Sequence, residues 1–155
     1  KTGINYSRGE YVIFIDADGA YPAEVIPRMA ETLESCDVVY CSRKHGLDNM
    51  PLFNRLGNII FQNMMKSFYG FKGSDYSTGL YGIRKRCLER MDIASRGFAI
   101  EPEIAIKATR MGLHVKEMPI EYRPRLGKAK LIGPKAGFEH LKTILGLLFW
   151  QPSSN

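Results

Sequence analysis

The apolar residues of the chain fall into short unbroken runs and longer helical repeats. Residues 11–15 are five apolar residues without alternation, and Asp16 and Asp18 follow them directly. A run of this kind is typical of a strand covered on both faces in a parallel sheet. The two carboxylates must then emerge at the carboxyl end of the strand, which is the edge where open α/β sheets bind ligands.

A second short strand is predicted at residues 37–41, where Asp37 precedes four apolar residues, and it follows a helical segment that ends near Leu33. Strand, helix and strand within about 30 residues predict a βαβ unit, which is right-handed by default. Residues 42–46 leave the second strand and are predicted to form a basic loop. Residues 1–8 are predicted to be the last part of a helix that stops at Gly9.

Pro51 opens a long helical repeat that ends at Gly70. Its apolar positions recur at three- and four-residue steps, and they are Phe53, Leu56, Ile60, Met64 and Phe68. The resulting face is more apolar than a helix at the rim of a domain requires. Packing in the core is the simpler interpretation, and a helix that lies at a membrane surface is the alternative.

The remaining elements are predicted from shorter patterns. Residues 74–79 are polar and turn-rich, 80–83 form a short strand, and 84–88 start a brief helix. Residues 101–111 form a helix that Gly112 stops. Residues 113–122 alternate apolar and polar, as an edge strand does. A basic loop over residues 123–135 leads to an amphipathic helix at residues 138–150.

Composition narrows the class of protein. The 155 residues suffice for one domain with its own core, and no unbroken apolar run reaches the length of a membrane span. The three cysteines match no metal spacing and indicate reduced thiols of a cytosolic protein. No zinc-finger pattern, aromatic strand signature or basic region with heptads is present, which argues against a nucleic-acid partner.

Charge is divided unevenly along the chain. Residues 1–50 hold 5 Lys/Arg against 8 Asp/Glu, whereas residues 51–155 hold 17 against 8. An acidic edge beside a basic half suits a phosphorylated ligand bridged by a cation, or an anionic membrane surface.

Asp16 and Asp18 are the first candidates for chemistry. Residues i and i+2 of an extended segment project to the same side, so the two carboxylates would repel each other without a cation between them. Mg²⁺ or Mn²⁺ is suited to oxygen ligands and keeps open positions for phosphate. The alternative is that the pair caps a turn at Asp18-Gly19.

Five segments, in the right order, resemble family 2 glycosyltransferases with the GT-A fold, and in particular the branch similar to dolichol-phosphate mannosyltransferase. They are residues 8–22 (the strand with its Asp-x-Asp motif), 42–43, 74–85, 97–108 and 117–131. The resemblance implies a Rossmann-like α/β fold with a mixed, mostly parallel sheet flanked by helices. It also implies that residues 1–134 are the C-terminal portion of that domain, that the N-terminal part which holds the nucleotide is lacking, and that residues 135–155 are an amphipathic, juxtamembrane helix and tail.

The function that this resemblance implies is inverting, metal-dependent transfer of a sugar from a GDP- or UDP-sugar to a polyprenyl (dolichyl-type) phosphate. The reaction would take place at the cytoplasmic face of a membrane. Asp16 and Asp18 would hold the cation at the donor diphosphate, and Ala20 stands where the family often has a glutamine. Cations for the acceptor phosphate would come from Arg43, Arg55, Arg123, Arg125, Lys128 and Lys130.

Two other functions stay open. A transferase that uses a lipid or glycan hydroxyl would need a general base, for which Asp75 and Glu103 are the candidates. Each has a structural alternative, since Asp75 is placed to cap a turn at Ser77-Thr78 and Glu103 to pair with Lys107. The chain could also be a non-catalytic module that binds a membrane surface without a metal.

Overall fold

The computed structural model describes residues 2–45, 47–126 and 133–152. These residues form four strands and six α-helices, with short 3₁₀ turns at Ala23–Val25, Leu47–Asn49 and Gly97–Ala99. The elements are α1 (Thr2–Tyr6), β1 (Tyr11–Ile15), α2 (Ile26–Leu33), β2 (Val38–His45), α3 (Leu52–Tyr69), β3 (Leu80–Arg84), α4 (Lys85–Arg90), α5 (Ile100–Arg110), β4 (Val115–Glu121) and α6 (Gly133–Gly146).

The sheet is mixed, with strand order β1-β3-β2-β4. Strand β3 runs antiparallel to both β1 and β2, and β2 runs parallel to β4. Strands β1 and β2 therefore run in the same direction, as the βαβ prediction requires, but β3 lies between them. The α/β fold with flanking helices is confirmed. Three of the four described strands, β1, β2 and β4, run in the same direction and β3 runs against them, so the expected mixed, mostly parallel sheet is confirmed as well.

Two strand predictions need correction. Strand β1 lies at one edge of the described sheet, and its residues are half-buried rather than covered on both faces. Strand β2 extends to His45, so the residues predicted as a basic loop continue the strand. They do so because β4 pairs with them, Ser42 with Pro119 and His45 with Glu121. The prediction of β4 as an edge strand is confirmed.

Side chains of the sheet pack into two apolar cores, one on each face. Val38 and Tyr40 of β2 belong to the larger core, which includes Met65 of α3 and Ile104 of α5. Val39 and Cys41 alternate with them and join the smaller core with Met29 and Leu33 of α2. The alternation places helices on both faces of the sheet and leaves the strand ends free to carry polar residues.

Helix α3 begins and ends where the pattern predicts, but its orientation differs. It ends at Gly70, which adopts the left-handed conformation with φ 71°. Its buried residues are Gln62, Met65 and Tyr69. The predicted apolar stripe is largely exposed, at Leu52, Phe53, Leu56, Ile59, Ile60 and Phe68. The core interpretation is therefore wrong for that stripe within the described residues.

Gln62 lies on the side of α3 that faces the protein interior. Its amide nitrogen donates to the Gly73 carbonyl at 2.6 Å, and its oxygen accepts the Tyr76 amide at 3.2 Å. Both bonds satisfy main-chain groups of the loop that follows the helix, where a buried polar group needs a partner. A polar residue thus takes the inward position and turns the apolar stripe outward.

Helix α6 begins earlier than predicted, at Gly133. It packs against α3 and α5 and buries Ile144 in the larger core, while Phe138 and Leu145 stay exposed, as does Phe149 after its end. The boundary at residue 135 stays a prediction. Among the helices that the structure describes, none is both long and apolar enough to cross a bilayer.

Candidate active site

The carboxylates of Asp16 and Asp18 follow directly on β1. The Asp16 amide donates to the Gly79 carbonyl at 3.0 Å, and this bond extends the contact between β1 and the start of β3. Asp18 begins a turn in which its Oδ1 accepts the Ala20 amide at 3.0 Å. Its Oδ2 lies 2.8 Å from Arg125 Nε. The turn-cap alternative thus accounts for one oxygen of Asp18, and the other oxygen meets a cation.

Gly79 lies directly against the Asp16 carboxylate. A Cβ at this position would lie 2.2 Å from Asp16 Oδ2 and 2.9 Å from the Tyr21 ring, closer than non-bonded heavy atoms approach each other. The Gly79 amide donates to the Tyr21 hydroxyl at 2.8 Å. Gly79 and Tyr21 together therefore fix where the Asp16 carboxylate can lie.

The electrostatics of the carboxylate pair favour a cation. Displacement of water raises the pKa of Asp16, and the charge of Asp18 raises it further, while Arg125 and Arg43 lower it. Across the described ranges, no group of three or more His, Cys, Asp or Glu side chains comes together. Two carboxylates are too few to complete a coordination shell, so a hard divalent cation held here would need water or phosphate oxygens as its further ligands.

A basic segment lies across the same turn. Residues 123–126, here called the basic strap, are joined to it by two main-chain bonds, from the Arg123 amide to the Ala20 carbonyl at 3.0 Å and from the Leu126 amide to the Asp18 carbonyl at 2.8 Å. The Arg123 side chain pairs with Glu24. Arg125 is thus beside the carboxylates, whereas the Arg123 side chain is held by Glu24. Lys128 and Lys130 lie outside the described residues.

Arg43 and Asp75 are bound to each other. Arg43 Nε and Nη2 donate to the two carboxylate oxygens of Asp75 at 2.6 and 2.7 Å, a bidentate pair that is largely buried. Arg43 Nη2 also donates to the Ser77 carbonyl at 3.2 Å, and the guanidinium lies 5.7 Å from the centre of the Tyr122 ring. The pair therefore ties the loop before β3 to the end of β2. The phosphate role of Arg43 and the base role of Asp75 stay predictions.

Two further predicted residues have partners of their own. Arg55 lies on the exposed first turn of α3, 3.6 Å from Asp48. Glu103 is buried and accepts the Ala94 and Ser95 amides at 2.9 and 2.6 Å. The Glu103 carboxylate also lies 2.6 Å from Lys107 Nζ. This ion pair is the predicted alternative to a catalytic role for Glu103. This arrangement holds the loop before α5, and a catalytic role for Glu103 stays a prediction.

The structure adds Glu101, which the sequence analysis did not select. It lines a cavity of about 170 Å³ together with Asp16 and Gly79. Burial raises its pKa to about 7, and the charge of Asp16 contributes in the same direction. A signal was present in the sequence, because Glu101 lies on the inward stripe of α5 with Ile104, Ala105 and Ala108.

A sequence model of known protein families matches residues 1–92, and its description is glycosyl transferase family 2. The chain belongs to glycosyl transferase family 2. The match includes Asp16, Asp18, Arg43, Asp75 and Gly79 of this family 2 chain, and it ends before Glu101 and the basic strap.

Curated relatives agree with this membership. The family 2 chain is 32% identical to the low-salt glycan biosynthesis hexosyltransferase of Haloferax volcanii, over 94% of this chain and 38% of the relative. It is 32% identical to the dolichyl-phosphate hexose transferase of the same organism, over 81% and 55%. It is 31% identical to the dolichol-phosphate mannosyltransferase of Pyrococcus furiosus, over 96% and 44%. The chain thus spans about half the length of these relatives.

Solved structures agree with the fold. Glucosyl-3-phosphoglycerate synthase from Mycobacterium tuberculosis, in complex with Mn²⁺, UDP-glucose and phosphoglyceric acid, matches with a TM-score of 0.73 and 17% identity. The match covers 98% of the family 2 chain and 54% of the synthase. The shared architecture confirms the predicted fold of the chain.

The raised pKa of Glu101 predicts a pH-dependent stability. Between the ordinary pKa of about 4.5 and the folded value of about 7, the folded state holds the proton more strongly, so the contribution of this group to stability falls as pH rises through that window. We expect Glu101→Gln to raise the free energy of unfolding by about 1–3 kcal/mol at pH 8 and to change it little at pH 4.

Urea unfolding of the two proteins at both pH values measures this effect. Glu89→Gln is the matched control, because Glu89 is an exposed carboxylate on α4. An equal change for Glu101→Gln at pH 4 and pH 8 would contradict the assignment of a desolvated carboxyl.

Proposed function

We propose that the protein transfers a hexose from a nucleotide sugar to a polyprenyl phosphate at a membrane surface, with inversion at the sugar carbon and with Mg²⁺ or Mn²⁺ bound at Asp16 and Asp18. The observation that carries the proposal is the carboxylate pair held over Gly79 and beside the basic strap. The names of the relatives support the acceptor class, since two of them act on dolichyl phosphate by name.

The donor end of the site follows from the carboxylates. A divalent cation at this position would act as a Lewis acid toward the charge that develops on the leaving diphosphate. Asp16 and Asp18 would supply two of its ligands, and Gly79 keeps the Asp16 carboxylate in place. The synthase that shares the fold was crystallised with Mn²⁺ and UDP-glucose, which supports a donor of this chemical class.

The acceptor end follows from the cations. A phosphate acceptor is already an anion at neutral pH, so its oxygen can attack without a strong general base. Arg125 Nε lies 2.8 Å from Asp18 Oδ2 and would therefore lie next to a donor diphosphate bound at the carboxylates. A second phosphate at this position would need such a counter-ion. Arg123 and the neighbouring lysines 128 and 130 would extend this positive charge, and arginine can bind phosphate through two parallel bonds.

Membrane contact would come from the outward faces of α3 and α6. Leu52, Phe53, Leu56, Ile59 and Ile60 are more than half exposed on α3. Phe138 is 68% exposed on α6, which packs against α3 and carries the exposed Lys135 and Lys142. An amphipathic surface of this kind binds the headgroup layer through apolar area and attraction to anionic lipids.

We therefore expect the full-length protein to pellet with anionic vesicles at low salt and to lose part of this binding at high salt, because only the charge contribution of about 1 kcal/mol per Lys or Arg is screened. Ile60→Glu and Phe53→Glu should each reduce pelleting several-fold. Tyr6→Glu is the matched control, since Tyr6 is an aromatic residue 80% exposed on a different helix, α1. Absence of pelleting with both anionic and neutral vesicles would exclude the membrane contact.

The proposed donor chemistry is tested by titration calorimetry of UDP and GDP with the full-length protein, with and without Mn²⁺. We expect nucleotide binding that requires Mn²⁺ and that Asp18→Asn abolishes without loss of folded structure. Asp48→Asn, at an exposed carboxylate that pairs with Arg55, should bind as the unmodified protein does. Mn²⁺-dependent binding that survives in Asp18→Asn would overturn the assignment of the cation to Asp18, and absence of Mn²⁺-dependent nucleotide binding in the unmodified protein would favour the non-catalytic module.

A further inference from the structure

The loop between α3 and β3 carries residues of the candidate site at both ends. Residues 75–79 of this loop are here called the site loop. Asp75 begins it and forms the bidentate pair with Arg43. Gly79 ends it and lies directly against the Asp16 carboxylate. The position of the site loop therefore determines where the Asp16 carboxylate can lie.

Tyr76 of the site loop binds both α3 and α6. Its side chain is 1% exposed and belongs to the larger apolar core. Its amide donates to Gln62 Oε1 of α3 at 3.2 Å. Its hydroxyl lies 3.0 Å from His140 Nδ1 of α6. Tyr76 therefore joins the site loop to two helices that pack against each other.

His140 can accept a hydrogen bond from the Tyr76 hydroxyl in this arrangement. Burial lowers the pKa of His140 below its ordinary value of 6.5, so the ring is neutral at pH 7. A neutral imidazole that carries its proton on Nε2 accepts a hydrogen bond at Nδ1. The ring also meets Phe61 of α3 edge-on, at 5.8 Å between ring centres. The acceptor for Tyr76 is therefore held between α3 and α6.

The Tyr76 hydroxyl gives the site loop an anchor on the helices. A phenylalanine would fill the same apolar space, and in the described part of the chain the hydroxyl adds a single bond, to His140. Residues 75–79 form neither helix nor strand, so their position depends on side-chain bonds. Two other such bonds, from Arg43 to Asp75 and from Thr78 to the Cys41 carbonyl, lead to β2. The bond to His140 therefore fixes the loop on its other side.

We propose that Tyr76 is a positioning residue for the cation site. Its bond to His140 holds the site loop so that Gly79 keeps the Asp16 carboxylate in the position that binds the cation. Tyr76 acts through the main chain as far as Gly79, three residues on. This inference rests on the proposed function, because it needs a divalent cation at Asp16.

Titration calorimetry of Mn²⁺ into the full-length protein with UDP or GDP, whichever it binds, measures this role. Tyr76→Phe should weaken Mn²⁺ binding by about 10-fold, the low end of the roughly 10- to 100-fold loss typical of groups that orient metal ligands, because the effect reaches Asp16 indirectly. His140→Leu removes the same bond from the other partner and should weaken Mn²⁺ binding by a similar factor. The two substitutions together should cost no more than either alone.

Tyr69→Phe is the matched control. Tyr69 is also buried, and its hydroxyl donates to the Ile144 carbonyl, so it too joins α3 to α6. This bond does not involve the site loop. Urea unfolding should show that Tyr76→Phe and Tyr69→Phe both fold with comparable losses of stability, and only Tyr76→Phe should weaken Mn²⁺ binding.

Equal Mn²⁺ affinities of Tyr76→Phe and Tyr69→Phe would overturn the inference, because Tyr76 would then stabilise the fold without positioning the site. Additive losses in the double variant would overturn it too, since the hydroxyl would not act through His140. In both cases Mn²⁺-dependent nucleotide binding by the unmodified protein leaves the proposed function in place. Failure of the unmodified protein to bind Mn²⁺ with either nucleotide would overturn the proposed function together with the inference.

Discussion

Gly79→Ala is expected to lower Mn²⁺-dependent turnover by about 100-fold or more in a protein that still folds. The added methyl carbon would lie 2.2 Å from Asp16 Oδ2 and 2.6 Å from its carboxyl carbon, so the carboxylate has to move. The Tyr21 ring also lies 2.9 Å from the same Cβ position, so the methyl group is crowded on this side as well. Displacements of about 1 Å in a catalytic constellation cost rates of this size.

The matched control is Gly57→Ala. A Cβ at Gly57 would meet no atom within 4 Å, and the residue lies inside α3, where alanine is favoured over glycine by about 1 kcal/mol. This variant should keep turnover and gain slight stability. Circular dichroism and urea unfolding establish that both variants are folded, and a Gly79→Ala protein with unchanged Mn²⁺ dependence would show that Asp16 does not hold the cation.

Glu103→Gln is expected to lower the free energy of unfolding by about 3–5 kcal/mol, the cost of removing one partner from a buried ion pair. Glu103 is 1% and Lys107 3% exposed, so Lys107 would be left with a buried charge. Its remaining partners are the Met91 and Asp92 carbonyls and the face of the Trp150 ring, none of which carries a negative charge. The Ala94 and Ser95 amides would also lose a charged acceptor.

The control for this prediction is another pair one helical turn apart. Lys85 and Glu89 lie 3.6 Å from each other at the surface, so Glu89→Gln should cost no more than about 0.5 kcal/mol. Both variants are compared by urea unfolding at pH 7. A small stability change for Glu103→Gln combined with a large loss of turnover would reverse the assignment and make Glu103 a catalytic residue.

The sequence predicts the elements well because each is defined by local chemistry. The repeat from Leu52 to Tyr69 ends at Gly70, and α5 ends before Gly112, since both glycines adopt positive φ angles of 71° and 63°. Asp16 and Asp18 are also predictable at the end of β1, because an apolar run stops where two charges begin. Their separation by one residue is enough to predict a shared site.

The direction of β3 and the partners of the polar residues depend on distant parts of the chain. Arg43 meets Asp75 across 32 positions, and no local pattern records that pairing. The outward turn of α3 depends on Gln62, whose partners Gly73 and Tyr76 lie in the next loop. Periodicity finds an apolar stripe, but it does not state which side of the helix meets the core.

Glu101 lies between these two cases. Its place on the inward stripe of α5 is readable from the spacing to Ile104 and Ala108, and a carboxylate on such a stripe calls for an explanation. Its nearness to Asp16 cannot be predicted from the sequence, because it depends on how α5 packs against the end of β1. The three-dimensional arrangement therefore distinguishes Glu103, which is bound by two amides and Lys107, from Glu101, which lines the cavity beside Asp16.

The most direct test of the central claim is transfer of a labelled hexose by the full-length protein, with a polyprenyl phosphate and a diacylglycerol offered as separate acceptors. We predict that Mn²⁺ or Mg²⁺ supports label in the polyprenyl-phosphate product, that a chelator removes this activity, and that Asp18→Asn does not form the product. Label that enters only diacylglycerol, or transfer to polyprenyl phosphate that persists in Asp18→Asn, would contradict the account.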